Sequence, residues 1–222
     1  MGKGFVMTPI RVLIVEANDL VRFGILQIIH NTGSGRIRIV GAFADLTQVV
    51  DILQLEPVDI LILDDTLPTV NRMSEYLVQI KQQFPKLAIV VTSNRLSGMY
   101  VQRLLEAGAV GFIYKSDRFQ GFLVPALETI HSGSIYVSPK VNSVTYLMRS
   151  PSHARLRETD RDVLLMIARG YNTQEIASAA GISSRSVYRI RTKLRHILNV
   201  KTNEQIVDAA RKQGLLDNAD RY

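Results

Sequence analysis

The chain contains no cysteine. That excludes a disulfide framework and any thiolate metal site, and it fits a reducing compartment. No apolar run approaches the roughly 20 residues needed to span a bilayer, and the first residues lack the apolar core of a signal peptide. A cytoplasmic protein without a membrane partner is therefore expected. No internal repeat or low-complexity segment appears. The most informative absence is local. From Ser183 to Lys201 there is no Asp or Glu, while Arg185, Arg189, Arg191, Lys193, Arg195 and Lys201 supply six positive charges.

What is present sets the scale. At 222 residues and 46% hydrophobic content, two domains with real cores are expected. The net charge of +7 is uneven: Pro151 to Tyr222 carries thirteen Lys and Arg against eight Asp and Glu, leaving only +2 for the rest. A basic C-terminal piece suits a polyanion, and double-stranded DNA is the obvious one. Met1 to Pro9 reads as a disordered lead-in.

The cationic run lies in a helix-turn-helix pattern. Thr173 is placed to cap a first helix, with Ile176 and Ala177 facing inward and Ala180 at its end. Gly181 supplies a left-handed residue for a sharp exit, and Ser183 can cap a second helix. Val187, Ile190, Leu194, Ile197 and Leu198 form its buried stripe. The opposite face holds Ser184, Arg185, Tyr188, Arg189, Arg191, Thr192 and Arg195. A preceding helix is expected from Thr159, paired with Asp162, to Gly170. A closing helix is expected from Thr202, with Gln205 as its capping-box partner and Gly214 as its stop.

Ahead of this piece, apolar runs alternate with amphipathic ones. Strands are expected at Arg11 to Val15, Ile37 to Phe43, Asp59 to Leu63, Leu87 to Val91 and Val110 to Tyr114. Helices lie between them, and a last one reaches His131. Gly121 and Pro125 imply that this last helix starts late or kinks. Such alternation implies a five-stranded parallel sheet, doubly wound in a flavodoxin-like α/β fold. The expected division is 10–133 for this domain, 134–155 for a linker with a helical turn around Val141 to Met148, and 156–216 for an all-α four-helix helix-turn-helix domain.

Parallel sheets bind ligands beyond the carboxyl ends of their strands. Those ends carry Glu16, Asp64, Asp65, Thr92, Ser93 and Lys115. Carboxylates with a backbone oxygen suit Mg²⁺. A carboxylate can accept a phosphoryl group covalently, and a lysine with a hydroxyl can hold its oxygens.

These residues carry a resemblance. The chain resembles a NarL/FixJ-type response regulator, a receiver domain followed by a LuxR-type helix-turn-helix, over nearly everything from Arg11 to Leu216. Asp59-Ile-Leu-Ile-Leu-Asp64-Asp-Thr-Leu-Pro68 matches the phospho-acceptor strand, which implies Asp64 as acceptor. Thr92 matches the switch hydroxyl; a one-residue shift would select Ser93. Gly108-Ala-Val-Gly-Phe-Ile-Tyr-Lys115 matches the segment ending in the site lysine, with Phe112 at the switch aromatic. Asp160-Arg-Asp-Val-Leu164, Glu175-Ile-Ala177, Gly181-Ile-Ser183 and Leu198-Asn-Val200 follow the DNA-binding half.

The resemblance implies a transcription regulator controlled by phosphorylation of Asp64, with Glu16, Asp64 and Thr66 as metal ligands and a sensor histidine kinase as partner. It also implies a homodimer on DNA, with Tyr188, Arg189 and Thr192 as base readers. Arg185, Arg191, Lys193 and Arg195 would contact phosphates, and Thr173 and Ser183 would add contacts from helix N-termini. One departure is plain: Ala17 stands where the family has a second acid, and Asp65 is an extra carboxylate that either compensates or points to solvent. The alternative is a phosphorylation-independent regulator whose receiver serves dimerisation or partner binding. A third reading, an aspartate-based phosphatase-like enzyme, would need a second catalytic acid near Asp64.

Overall fold

A computed structural model describes residues 8–33, 35–67, 73–142 and 156–216. Most of the expected lead-in, and the expected helical turn beyond Asn142, lie outside the described residues. The chain divides into two compact units, Met1–Asn94 with Arg103–Ser138, and Arg95–Gln102 with Pro139–Tyr222.

In chain order the first elements are β1 (Ile10–Val15), α1 (Asp19–Thr32), β2 (Ile37–Phe43), α2 (Val49–Leu55), β3 (Ile60–Asp64), α3 (Met73–Gln83), β4 (Ala88–Ser93), α4 (Gly98–Glu106) and β5 (Gly111–Tyr114). A 3-10 turn (Phe119–Gly121), α5 (Leu123–His131) and β6 (Tyr136–Val137) follow. The strands form one parallel sheet in the order β2-β1-β3-β4-β5-β6.

The expected count of five strands is therefore corrected to six among the described residues. Tyr136 and Val137 sit in the stretch assigned to a linker, and two residues give no periodicity to read. Their pairing is tertiary. The Tyr136 N–H donates to Val110 O at 3.0 Å and the Ser138 N–H to Phe112 O at 2.9 Å, while the Ser138 hydroxyl oxygen accepts the Tyr114 N–H at 3.0 Å. The last helix does start late. It begins at Leu123 after the 3-10 turn, so Pro125 falls in its first turn, where its missing N–H leaves no bond unmade.

Strand parity organises the sheet, because successive side chains point to opposite faces. Val12, Ile14, Ile60, Ile62, Val90 and Ile113 pack in one cluster with Ile25 and Ile29 of α1 and Leu127 and Ile130 of α5. Phe112 has the opposite parity and is fully buried. β3 is buried at all five positions, as expected for a strand covered on both faces.

The second unit holds α6 (Glu158–Ala168), α7 (Thr173–Ala179), α8 (Ser184–Leu198) and α9 (Glu204–Lys212) among the described residues. Val163, Leu164, Ile176, Val187, Leu194 and Ile206 meet in its core. Three helix starts differ from expectation. α6 begins at Glu158, and the partner in its first turn is Asp160, whose carboxylate accepts the Arg157 N–H at 2.8 Å. α7 is capped by Asn172 rather than Thr173: its side-chain oxygen accepts from Gln174 N and Glu175 N, and Glu175 answers from Asn172 N. Asparagine one residue earlier outcompetes threonine because it closes the box with Glu175. α9 begins at Glu204, two residues after Thr202, although Gln205 does accept the Lys201 and Thr202 N–H groups. Ser183 caps α8, accepting the Ser186 N–H. Gly181 has φ +64°, the left-handed turn the sequence requires there.

Candidate functional site

The first site is assembled by parity. Glu16 follows Val12 and Ile14, Asp64 follows Ile60 and Ile62, Thr92 follows Val90, and Lys115 follows Ile113. All four therefore belong to the sheet face covered by α1 and α5 and converge at its carboxyl edge. Their contacts are direct. The Lys115 ammonium donates to Asp64 Oδ1 at 2.7 Å and to Glu16 Oε1 at 2.9 Å. Both carboxylate side chains are wholly buried, and Lys115 is nearly so. The Thr92 hydroxyl donates to Glu16 Oε2 at 3.2 Å. The Thr66 hydroxyl and N–H donate to Asp64 Oδ2 and Oδ1 at 2.7 and 3.0 Å, and the Ala17 N–H reaches Asp64 Oδ2 at 3.3 Å.

Electrostatics separate the two acids. Burial alone would raise the Asp64 carboxyl, but the hydrogen bonds from Lys115 and Thr66 outweigh it and hold Asp64 below the usual range. At Glu16 burial wins over Lys115 and the Asn18 N–H, and the Asp64 charge adds to it, so this carboxyl is raised. Of the two acids, Asp64 is thus the one whose ionised form the cluster favours.

Thr92, not Ser93, faces the cluster. Ser93 has the other parity, and its hydroxyl donates to Asp65 Oδ2 at 2.6 Å. Asp65 does not point to solvent; it is buried beside Ser93, on the sheet face away from Asp64. It offers neither a replacement for the acid absent at Ala17 nor a leaving-group acid for Asp64. The position after a buried strand acid has no exposed alternative when helices cover both faces, and that signal was available in the sequence. Among the described residues no group of three His, Cys, Asp or Glu side chains is arranged to hold a metal. The two carboxylates nonetheless fit a shared cation, because one ammonium already bridges them.

The second site is the solvent face of α8. Ser183, Ser184, Arg185, Tyr188, Arg189 and Thr192 are exposed, Tyr188 at 60%. Arg191, Lys193 and Arg195 are half-buried along its flank. Arg195 donates to the Thr192 hydroxyl at 3.1 Å, and Lys193 is ion-paired with Asp160. Glu204 is held below the usual carboxylate range by its own backbone N–H and the Thr202 hydroxyl, with Arg191 and Arg195 adding to the effect. Thr173 is half-buried in the first turn of α7. Sequence reasoning gave no role to Asp160, although it stands in the quoted Asp160 to Leu164 motif.

A parallel αβ unit with an acidic carboxyl-edge cluster, followed by a helix-turn-helix unit with a cationic second helix, defines a response regulator class. Comparison with known proteins agrees. Residues 12–122 match the response regulator receiver domain, and residues 154–210 match the LuxR family of bacterial regulatory proteins. The chain belongs to the response regulators of NarL/FixJ type and carries their DNA-binding domain. It is similar to the response regulator protein VraR of Staphylococcus saprophyticus, 25% identical over 90% of this chain and 92% of that one. It is also 25% identical to the oxygen regulatory protein NreC of Staphylococcus carnosus, over 93% and 99%. A solved RcsB–DNA complex shares the fold at TM-score 0.67 and 21% identity, covering 92% of this chain and 98% of that one. RcsB from Salmonella enterica serovar Typhimurium, bound to promoter rprA in the presence of phosphomimetic BeF₃⁻, aligns at TM-score 0.64 and 22% identity, over 90% and 97%. Receivers of this family generally bind Mg²⁺ at their acidic site. Among the described residues, no helix is long and apolar enough to cross a membrane.

Proposed function

We propose that the chain is a cytoplasmic transcription regulator whose DNA binding is controlled by phosphorylation of Asp64. The observation that supports this reading is Asp64 at the carboxyl end of β3, opposite Thr92 on β4 and held below the usual carboxylate range by its hydrogen bonds. In the step itself a carboxylate oxygen of Asp64 attacks the phosphorus of the donor. The bond from phosphorus to the donor's leaving atom breaks, and that atom keeps the electron pair; an acyl phosphate results. A sensor histidine kinase is the donor this chemistry implies. Lys115 then holds a phosphoryl oxygen, and the Thr92 hydroxyl turns from Glu16 to another. Movement of Thr92 along β4 is felt across the sheet by Phe112 of β5. Glu16, Asp64 and Thr66 would hold Mg²⁺, which supplies charge neutralisation at the phosphoryl oxygens when bound.

Incubation with acetyl phosphate and Mg²⁺ is expected to add one phosphoryl group, read by intact mass. Asp64→Ala should abolish the addition. An unchanged mass for the wild type, or equal addition to the variant, overturns the assignment.

A second reading has its own observation. Ala17 brings a backbone N–H but no carboxylate to the cluster, and every carboxylate oxygen of Asp64 and Glu16 already accepts a hydrogen bond. The Lys115 salt bridge fills the space between the two acids, and a receiver satisfied in this way would act without phosphorylation, as a dimerisation or partner-binding module. Salt-dependent duplex binding by a chain that takes no phosphoryl group would favour it.

For DNA, α8 lies in the major groove with its N-terminal half at the base edges. Tyr188, Arg189 and Thr192 read bases, and Arg189 favours guanine through O6 and N7. Arg185 and Arg195 meet phosphates, Arg191 lies beside them, and Thr173 and Ser183 add contacts from helix starts. A homodimer on paired half-sites supplies the contact area a single small domain lacks. Arg189→Ala is expected to cost about 1–3 kcal/mol on the preferred site and to relax one base position. Arg195→Ala should weaken all duplexes alike and lower the salt slope by about 0.9. Fluorescence anisotropy across a salt series separates the two, and identical behaviour refutes the division.

A further inference from the structure

The six cations around α8 are not equally available to a duplex. Arg185 and Arg189 are exposed, whereas Lys193 is half-buried and its ammonium is bound to Asp160 Oδ2. Asp160 itself is only 4% exposed. The same Oδ2 accepts the Arg157 N–H at the start of α6. One buried oxygen atom therefore holds the first turn of α6 and the middle of α8 together.

This tie does something the core cannot. Val187, Ile190, Leu194 and Leu198 seat α8 on the unit, but apolar contact is non-directional and tolerates sliding and rolling. A charge-assisted hydrogen bond off the helix axis is directional and resists both. Arg185, Tyr188, Arg189 and Thr192 all stand on the same rigid rod, within about 12 Å of Lys193 along its axis. A small roll at Lys193 moves every one of them against the base edges.

We infer that Lys193 is a positioning residue for DNA reading rather than a phosphate contact, and that Asp160 is its buried partner. The inference rests on α8 being the reading helix and refines how it is aimed.

The test compares full-length Asp160→Asn, Lys193→Met and Lys193→Arg with the wild type. Two fluorescein-labelled duplexes are used, one selected by the wild-type chain from a randomised library and one of mixed sequence. Asp160→Asn is expected to weaken binding to the selected duplex by about tenfold although it removes a negative charge. Lys193→Met should do the same with an unchanged salt slope, and Lys193→Arg should recover most of the loss. If Lys193 instead meets a phosphate, Asp160→Asn frees it and binding tightens, and Lys193→Met lowers the slope by about 0.9. Either result overturns the proposal. Far-ultraviolet circular dichroism checks the fold, and should Asp160→Asn prove unfolded, the slope of Lys193→Met decides alone. A wild-type chain with no salt-sensitive affinity for any duplex removes the reading helix itself, and the proposal with it.

Discussion

Lys115→Met is expected to destabilise the sheet unit by about 3–5 kcal/mol near neutral pH, the usual consequence of stripping one partner from a buried ionic cluster. Methionine keeps the length of the stem but removes the one cation that, among the described residues, bonds the carboxylates of both Glu16 and Asp64, whose side chains are wholly buried. Two carboxylates would then face each other without compensation. The pH dependence has a definite sign. In the wild type Asp64 is held low, so its contribution is present above the unfolded value of about 3.9 and is lost as pH falls through the lower folded value. In the variant both carboxyls are raised above their unfolded values of about 4, so the folded state gains stability as pH falls from about 7 toward about 4. The gap between the two proteins should therefore narrow on acidification. Hydrogen exchange of peptides covering β1 and β3, at about pH 7 and about pH 5 with the intrinsic rate corrected, reads this locally. A gap that widens in acid, or no gap at all, contradicts the account of Lys115 as the counter-ion of this cluster.

Leu194→Ala is expected to cost the helical unit about 2–5 kcal/mol. Leu194 is fully buried at the centre of the core shared by α6, α7, α8 and α9. Truncation leaves a cavity against Val187, Ile190 and Leu198, the very stripe that seats the reading helix. Loss of duplex binding should follow loss of helix content on heating, with both midpoints moving together. The sheet unit's exchange protection should stay as in the wild type. Full duplex affinity at a temperature where the variant's helix signal has collapsed would separate reading from folding, which this core does not allow.

Much of this architecture was legible in the sequence, for reasons particular residues make clear. β1, β3 and β4 are runs dominated by β-branched and aliphatic residues, and β2 and β5 add aromatic ones, so the position of each strand and the side chain at its carboxyl end could be read together. That is why Glu16, Asp64, Thr92 and Lys115 were expected as a group and stand as one in the structure. The α8 stripe was equally plain, since Val187, Ile190, Leu194 and Leu198 keep helical spacing through a run otherwise polar.

What could not be read depends on partners distant in sequence. β6 is two residues long and exists because β5 offers it backbone groups. The turn of Asp65 away from Asp64 follows from strand parity, but its partner Ser93 comes from β4 and leaves no local mark. The pairing of Lys193 with Asp160 likewise leaves no local mark, because the two stand 33 residues apart. Helix starts moved by a residue or two wherever two capping candidates stood close together, as at Asn172 and Thr173.

The short sixth strand also bears on solubility. An unpaired strand edge is a template for foreign chains, and a brief final strand is one way natural sheets blunt it. A fragment cut at Gly133, where a five-strand reading would end the unit, strips that cover. The carbonyls of Val110 and Phe112 and the N–H of Tyr114 lose their partners along a hydrophobic border, which invites self-association. Extending the fragment through Ser138 keeps the border closed.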